Sequence, residues 1–289
     1  MIDNFILIIG AMKCGTTSLF SYLSQHPEIC PAKRKEPNFF SVDSNYKQGF
    51  EFYLQEWSEW QPAIHKLAME ATINYSKIPV FSNAAVRIAR YQNRASFKFI
   101  YIVRDPIERI ESHYTHAKGT NWGSNILDLS QGIDPELIVT SKYALQLDEY
   151  YSRFPPENIL LLNFEDLKAR PKVVLEQVCS FLNIDSKFTF SGIEKAHNTN
   201  KSRVIDDELW RKFRKIKTLR NFGRTYLSDE QKQLFHSLFG KKVEGNIKLS
   251  KSQKEYILDC IAEDLARLKS QYGVNINAWN SLPANINIS

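Results

Sequence analysis

The stretch Ile8-Ile9-Gly10-Ala11-Met12-Lys13-Cys14-Gly15-Thr16-Thr17-Ser18-Leu19 decides how this 289-residue chain is read. It closes an apolar run, Phe5 to Ile9, crosses a loop bounded by two glycines, and enters a helical pattern, Thr16 to Gln25, that ends before His26-Pro27. A short apolar run without alternation is the pattern of a strand buried on both faces. Gly10 and Gly15 permit backbone angles that other residues resist, and a helix N-terminus carries partial positive charge. The N–H groups of such a turn therefore suit a phosphate-like anion. Lys13 adds a full charge, and the hydroxyls of Thr16, Thr17 and Ser18 add donors. The plainer alternative is a tight strand-to-helix turn with an exposed lysine. The usual ATP/GTP loop, GxxxxGK[ST], has lysine directly after its second glycine; here Thr16 holds that place and lysine comes earlier, at position 13.

Outward from this loop the strand-turn-helix pattern repeats. Apolar runs at Phe97 to Val103 and Ile159 to Asn163 predict two more buried strands, and Lys66 to Ala71 a weaker one that feeds a helical stretch from Phe81 to Gln92. Asp105-Pro106-Ile107-Glu108 has the composition of a helix start, with an N-cap aspartate, proline in the first helical position and an acid in the third. The expected fold is α/β: a P-loop-like domain with a central parallel sheet flanked by helices. Beyond Glu165 the chain turns helical, at Lys172 to Leu182, Asp206 to Thr218, Ser228 to Phe239 and Ser250 to Tyr272, which predicts a helical C-terminal part that caps the sheet. No repeat, low-complexity tract or Pro/Gly-rich linker marks a boundary, so residues 1–289 are expected to form one domain. The polar segment Gly119 to Pro135 is a candidate acceptor-side loop, or else an ordinary surface loop.

Bulk properties narrow the function less. A formal charge of +6 favours anionic partners without choosing among them. Lys and Arg are scattered, and the aromatics follow core spacing, which argues against a nucleic-acid-binding module. Cys14, Cys30, Cys179 and Cys260 form no CxxC pair or zinc-ligand cluster, so a reduced compartment and no structural metal are expected. The opening residues lack a basic leader, and Phe5 to Ile9 is too short for a membrane span. The expectation is a soluble cytoplasmic protein, of unspecified oligomeric state.

A second element completes the pattern: Ile102-Val103-Arg104-Asp105-Pro106, then Ser112, eight residues after the arginine. With the early-lysine loop, this order resembles the sulfotransferases that use 3′-phosphoadenosine 5′-phosphosulfate (PAPS), in particular the heparan sulfate N- and O-sulfotransferase branch and related bacterial enzymes. The resemblance extends to the C-terminal region with Tyr272-Gly273 and Trp279. It implies PAPS as co-substrate, PAP as product, no metal, and a hydroxyl or amine acceptor that is a carbohydrate or small molecule. On it, Gly10, Lys13, Cys14, Gly15, Thr16, Thr17 and Ser18 surround the 5′-phosphosulfate, with Lys13 stabilising charge on the leaving phosphate oxygen. Arg104 and Ser112 take the 3′-phosphate, joined by Lys201, Ser202 and Arg203 from a basic segment that could equally be a solvated charge run.

The resemblance also offers a base. Lys35-Glu36-Pro37-Asn38-Phe39-Phe40 matches a Glu-x-x-Phe-Phe segment whose glutamate takes the acceptor proton, so Glu36 is the first candidate. Phe39 and Phe40 are expected to pack beneath it and strip its solvation. His116 is the second candidate, since the small-molecule branch uses a histidine; His65, His113 and His197 read as ordinary histidines. One departure stands out. The glycan enzymes carry Glu-Lys-Thr/Ser after the next strand, with the lysine near the sulfuryl group, whereas this chain has Glu70-Ala71-Thr72. Lys33, Arg34 and Lys35 are the neighbouring cations that could compensate. The rival reading is a P-loop kinase or NTPase, which needs magnesium ligands and a lysine beside the loop hydroxyl.

Overall fold

A computed structural model describes residues 2–118, 126–193, 204–206, 240–242 and 246–282. Five strands, β1 (Asn4–Gly10), β2 (Ile29–Pro31), β3 (Leu67–Glu70), β4 (Ser96–Val103) and β5 (Ile159–Asn163), form one sheet in the order β2-β3-β1-β4-β5, and every pair is parallel. Phe5 to Ile9 and Phe99 to Val103 are buried along their whole length, which is why the two inner strands read as unbroken apolar runs. β5, at an edge, is only partly buried.

The helices are α1 (Thr16–Leu23), α2 (Asp43–Tyr46), α3 (Phe50–Leu54), α4 (Ala84–Ala89), α5 (Pro106–Lys118), α6 (Pro135–Val139), α7 (Tyr143–Tyr151), α8 (Phe164–Ala169), α9 (Pro171–Leu182) and α10 (Lys251–Tyr272). α10 opens on a capping box: Ser250 accepts from the Gln253 N–H at 3.2 Å and the Gln253 side chain accepts from the Ser250 N–H at 2.9 Å. Gly273, left-handed at φ 66°, closes it. Asp264 of the same helix accepts from the Ala144 and Leu145 N–H groups, capping α7 with a carboxylate at 3.0 and 2.8 Å. Among the described residues no helix is long and apolar enough to cross a membrane.

Two expectations need correction. The sheet has a strand that the sequence reading lacks, Ile29–Pro31, and Asp206 ends a three-residue strand, Val204–Asp206, paired antiparallel with Gly240–Lys242, instead of opening a helix. The rest of the predicted helices from 206 to 218 and from 228 to 239 lies outside the described residues, as do Lys201, Ser202, Arg203 and His197.

The strand order places the site. After β1 the chain leaves toward β2 and β3; after β4, its neighbour on the other side, it leaves toward β5. Where adjacent parallel strands send their connections in opposite directions, a crevice opens at their C-terminal ends. Both motifs read from the sequence emerge there.

Candidate active site

The β1–β4 register slips at the mouth of this crevice, where Ile8 stands opposite Ile100 but Gly10 opposite Tyr101. The extra residue turns the chain out of the sheet. Gly10 then passes so close to Tyr101 and Ser76 that a Cβ there would lie 2.8 Å from a Tyr101 ring carbon and collide with the Ser76 hydroxyl. Ser76 Oγ donates to the Ile9 carbonyl at 2.6 Å and pins this corner. The loop is tied back by the Ala11 N–H donating to the Ile102 carbonyl of β4 at 2.9 Å. Lys13 takes a left-handed conformation at its crest, φ 70°. Gly15, φ 89°, is the N-cap of α1, and a Cβ on it would meet the Phe164 ring at 2.8 Å.

The loop residues do not all face the same way. Cys14 is fully buried; its N–H donates to the Ala11 carbonyl at 3.1 Å, and its thiol lies 3.9 Å from the Tyr143 hydroxyl. Burial pushes that thiol up to about 11, so it stays protonated and serves as packing. Thr16 is buried at the start of α1, Ser18 is half-buried and Thr17 is exposed.

Arg104, at the end of β4, links the two motifs. Its guanidinium donates to the Lys13 carbonyl at 3.2 Å and to Glu108 at 2.7 Å, and its central carbon lies 4.6 Å from the centre of the Phe164 ring. Its Nε is buried and has no partner among the described residues. Tyr143 fixes the backbone by donating to the Arg104 carbonyl at 2.7 Å. Asp105 caps α5 through the Ile107 and Glu108 N–H groups at 3.0 and 3.3 Å. Glu108 does not close a capping box as the sequence suggests; it pairs with Arg104, and the Asp105 N–H turns to Glu165 at 3.4 Å. Ser281 donates to Asp105 with both its hydroxyl and its N–H, the latter at 2.9 Å. Both carboxylate oxygens of Asp105 thus accept hydrogen bonds that brace this corner.

α5 carries further groups inward. Ser112 and His116 are half-buried on it, while Arg109 and His113 are buried. The Arg109 guanidinium donates to the Ser141 hydroxyl at 2.9 Å and to the Leu137 carbonyl, both neutral acceptors, and its Nη1 has no partner. His113 Nδ1 is also unpartnered. Burial, reinforced by the charges of Arg109, Lys77, Lys13 and His116, pushes His113 down to about 2, so its ring is neutral. Lys77, which the sequence reading passed over, lies in the turn after Ser76 with a side chain only 7% exposed, and its ammonium is 3.5 Å from Glu136 of α6.

Glu36 lies on the segment after β2. Its carboxylate is 34% exposed and pairs with Lys35 at 2.9 Å. Phe39 and Phe40 do not pack beneath it: their rings join Phe5, Phe50, Tyr53 and Tyr75 in the aromatic core. Asn38, between the carboxylate and the rings in sequence, is left-handed at φ 56°. Glu70 is fully buried and accepts from Tyr53 at 2.6 Å, Tyr75 at 2.9 Å and Thr72. Burial raises its pKa to about 7. Arg34, one of the cations near Ala71, is engaged with Glu56.

Residues 3–246 match the family model described as "Sulfotransferase domain". This chain belongs to that family. The sulfotransferase domain is 25% identical over 204 residues to the mouse (Mus musculus) bifunctional heparan sulfate N-deacetylase/N-sulfotransferase 4, covering 64% of this chain and 23% of the relative. It is 28% identical over 195 residues to the mouse heparan sulfate glucosamine 3-O-sulfotransferase 5, covering 63% of this chain and 54% of the relative. The chain therefore spans at most about half the length of these curated relatives. In fold it is similar to a solved sulfotransferase from Alicyclobacillus acidocaldarius, with a TM-score of 0.64 over 96% of this chain and 99% of that one at 20% identity. In this sulfotransferase domain the loop after β1 and the corner after β4 meet through the Arg104–Lys13 contact, while Cys14 faces the core. Glu36 makes its ion pair with Lys35, and no contact joins it to these turns among the described residues.

Proposed function

We propose that this chain transfers the sulfuryl group of PAPS to a hydroxyl or amine, releasing PAP, with a carbohydrate as the acceptor class to test first. The observation that carries the reading is the Arg104–Lys13 contact, which joins two cation-bearing turns on adjacent strands into one site. A nucleotide with phosphate groups at both its 5′ and 3′ positions answers to such a pair. Lys13 and the N-terminus of α1 hold the 5′-phosphosulfate, and Arg104 with Ser112 holds the 3′-phosphate, Arg104 exchanging Glu108 for the ligand. Transfer breaks the bond between sulfur and the bridging 5′-phosphate oxygen, whose electron pair stays on the phosphate opposite Lys13. The acceptor oxygen or nitrogen supplies the pair for the new bond, and its proton goes to Glu36. A glycan acceptor is supported by the heparan sulfate substrates in the relatives' names. The four unpaired cysteines are in keeping with work in the cytoplasm. The reading treats residues 1–289 as one domain, because α10, beyond the family match, caps α7 from inside it.

Melting curves with PAP and with ATP test the donor, since a ligand bound only by the folded state raises the midpoint. PAP should raise it and ATP should not. With labelled PAPS and a heparosan polysaccharide, Lys13→Ala should fold normally and lose about 10²- to 10³-fold in rate. Near-parental turnover in Lys13→Ala would remove the loop from the reaction, and stabilisation by ATP alone would return the chain to the kinases.

A further inference from the structure

Among the described residues, the buried positive charge beside these turns exceeds the acidic groups that pair with it. Arg109 is fully buried and bonded only to neutral acceptors, with one terminal nitrogen unpartnered. Lys77 is nearly as buried, and its one close acidic neighbour, Glu136, lies 3.5 Å away with a side chain 45% exposed. Charge-assisted bonds from ammonium to carboxylate close to about 2.7–2.9 Å, and an ammonium offers three donors. Burying a charge costs several kcal/mol unless a partner offsets it, so a long contact to one exposed carboxylate leaves most of that cost standing. His113, wedged among these cations, has an unpartnered Nδ1. Buried cations with donor hydrogens left over are suited to receive an anion.

The local chain ties the turn that carries Lys77 to the phosphate loop. Ser76, its neighbour, donates to the Ile9 carbonyl at 2.6 Å and packs against Gly10, so the Lys77 backbone leaves directly from the loop's first corner. On the far side, the Ile78 N–H donates to Gln146 Oε1 at 2.8 Å, Gln146 Nε2 donates back to the Ile78 carbonyl at 3.2 Å, and the Phe81 N–H donates to the Lys77 carbonyl at 2.9 Å. The turn is held on both sides of the lysine. The charges of both Lys77 and Lys13 reach His113. Ala71, at the end of β3, is fully buried and contributes no charge.

We propose that Lys77, held against the loop by the Ser76 clamp, is the catalytic cation that bears on the non-bridging oxygens of the sulfuryl group during transfer. Lys13 meets the charge left on the phosphate, whereas Lys77 meets the charge on the group in flight. The proposal rests on the sulfotransferase reading above. Burial lowers the pKa of Lys77 in the free protein, and an arriving anion reverses that direction, so the side chain is charged when it is needed. PAP lacks the sulfuryl group, so a residue devoted to it contributes to turnover of PAPS and not to affinity for PAP.

That separation supplies the experiment. PAP affinity is measured by calorimetry. Turnover is measured as PAP release from PAPS, both without acceptor, where water takes the sulfuryl group, and with heparosan. Lys77→Met should melt at or above the parental temperature, bind PAP within about threefold of the parent, and lose about 10²-fold or more in turnover under both conditions. Lys77→Arg should recover at least about a tenth of the parental rate, because it restores the charge without the compact ammonium. Should Lys77→Met fail to fold, Lys77→Gln, which keeps a neutral donor, is read against the same limits. Turnover within about threefold of the parent overturns the assignment, as does a loss of PAP affinity that matches the loss of rate. If the unchanged protein neither binds PAP nor consumes PAPS, the sulfotransferase reading fails and takes this assignment with it. If it does both and Lys77→Met keeps pace, only Lys77 is displaced.

Discussion

Replacing Gly15 by alanine tests how tightly the two anion-binding turns are geared together. Gly15 sits at φ 89°, ψ 12°, in the left-handed region, where an alanine costs about 1–2 kcal/mol. Its new Cβ would stand 2.8 Å from Phe164 Cδ2 and 3.0 Å from Cε2. Contact at that range forces the ring to move, and overpacking of this kind costs about 1–3 kcal/mol. The two effects together predict a loss of roughly 2–5 kcal/mol. The ring that moves is the one over which the Arg104 guanidinium is stacked, so PAP affinity should fall along with stability although Gly15 carries no charge. Urea denaturation of Gly15→Ala, Phe164→Leu and the double variant separates the two costs. Leucine relieves the collision but not the backbone penalty, so the double variant should be more stable than additivity allows by about 1 kcal/mol or more. A loss below about 0.5 kcal/mol in Gly15→Ala, or strict additivity in the cycle, would refute the gearing.

Two further outcomes follow from buried and half-buried carboxyls. Glu70 holds its proton up to about 7 in the folded state against an ordinary 4.5; the folded protein then binds more protons than the unfolded one between these values, and stability falls as pH rises through that window, by up to roughly 3 kcal/mol. Glu70→Gln should flatten this slope in urea titrations at pH 5 and pH 7.5, and parallel curves for parent and variant would contradict it. Glu36→Gln should keep PAP affinity and lower acceptor-dependent turnover about 10²-fold or more; full activity there, with loss in His116→Ala, would move the base to the histidine.

The sheet was legible where its strands are buried on both faces, because Phe5 to Ile9 and Phe97 to Val103 carry no alternation to confuse with a helix. Ile29–Pro31 was not, since three residues ending in proline carry no period. The loop and the Arg-Asp-Pro corner could be read because their chemistry is local: glycine, lysine and helix start lie within a few residues of one another. Lys77 could not. The groups about it come from α6 and α7, tens of residues further on, and a lysine before Ile78-Pro79 reads as surface. The pair Phe39-Phe40 misled for the opposite reason, since adjacency to Glu36 in sequence says nothing about which way Asn38 turns the chain.

The contact between Ser281 and Asp105 spans 176 positions, and Trp279 reaches back to Asn163 with a 3.2 Å bond. Both donors lie beyond residue 246, where the family match stops. During synthesis, every strand of the five-stranded sheet leaves the ribosome well before either of them. A nascent chain can therefore close its sheet and form its phosphate loop while the corner that carries Arg104 still lacks its outer brace. The brace on that corner comes from residues beyond the family match, and a chain cut at residue 246 would lack it.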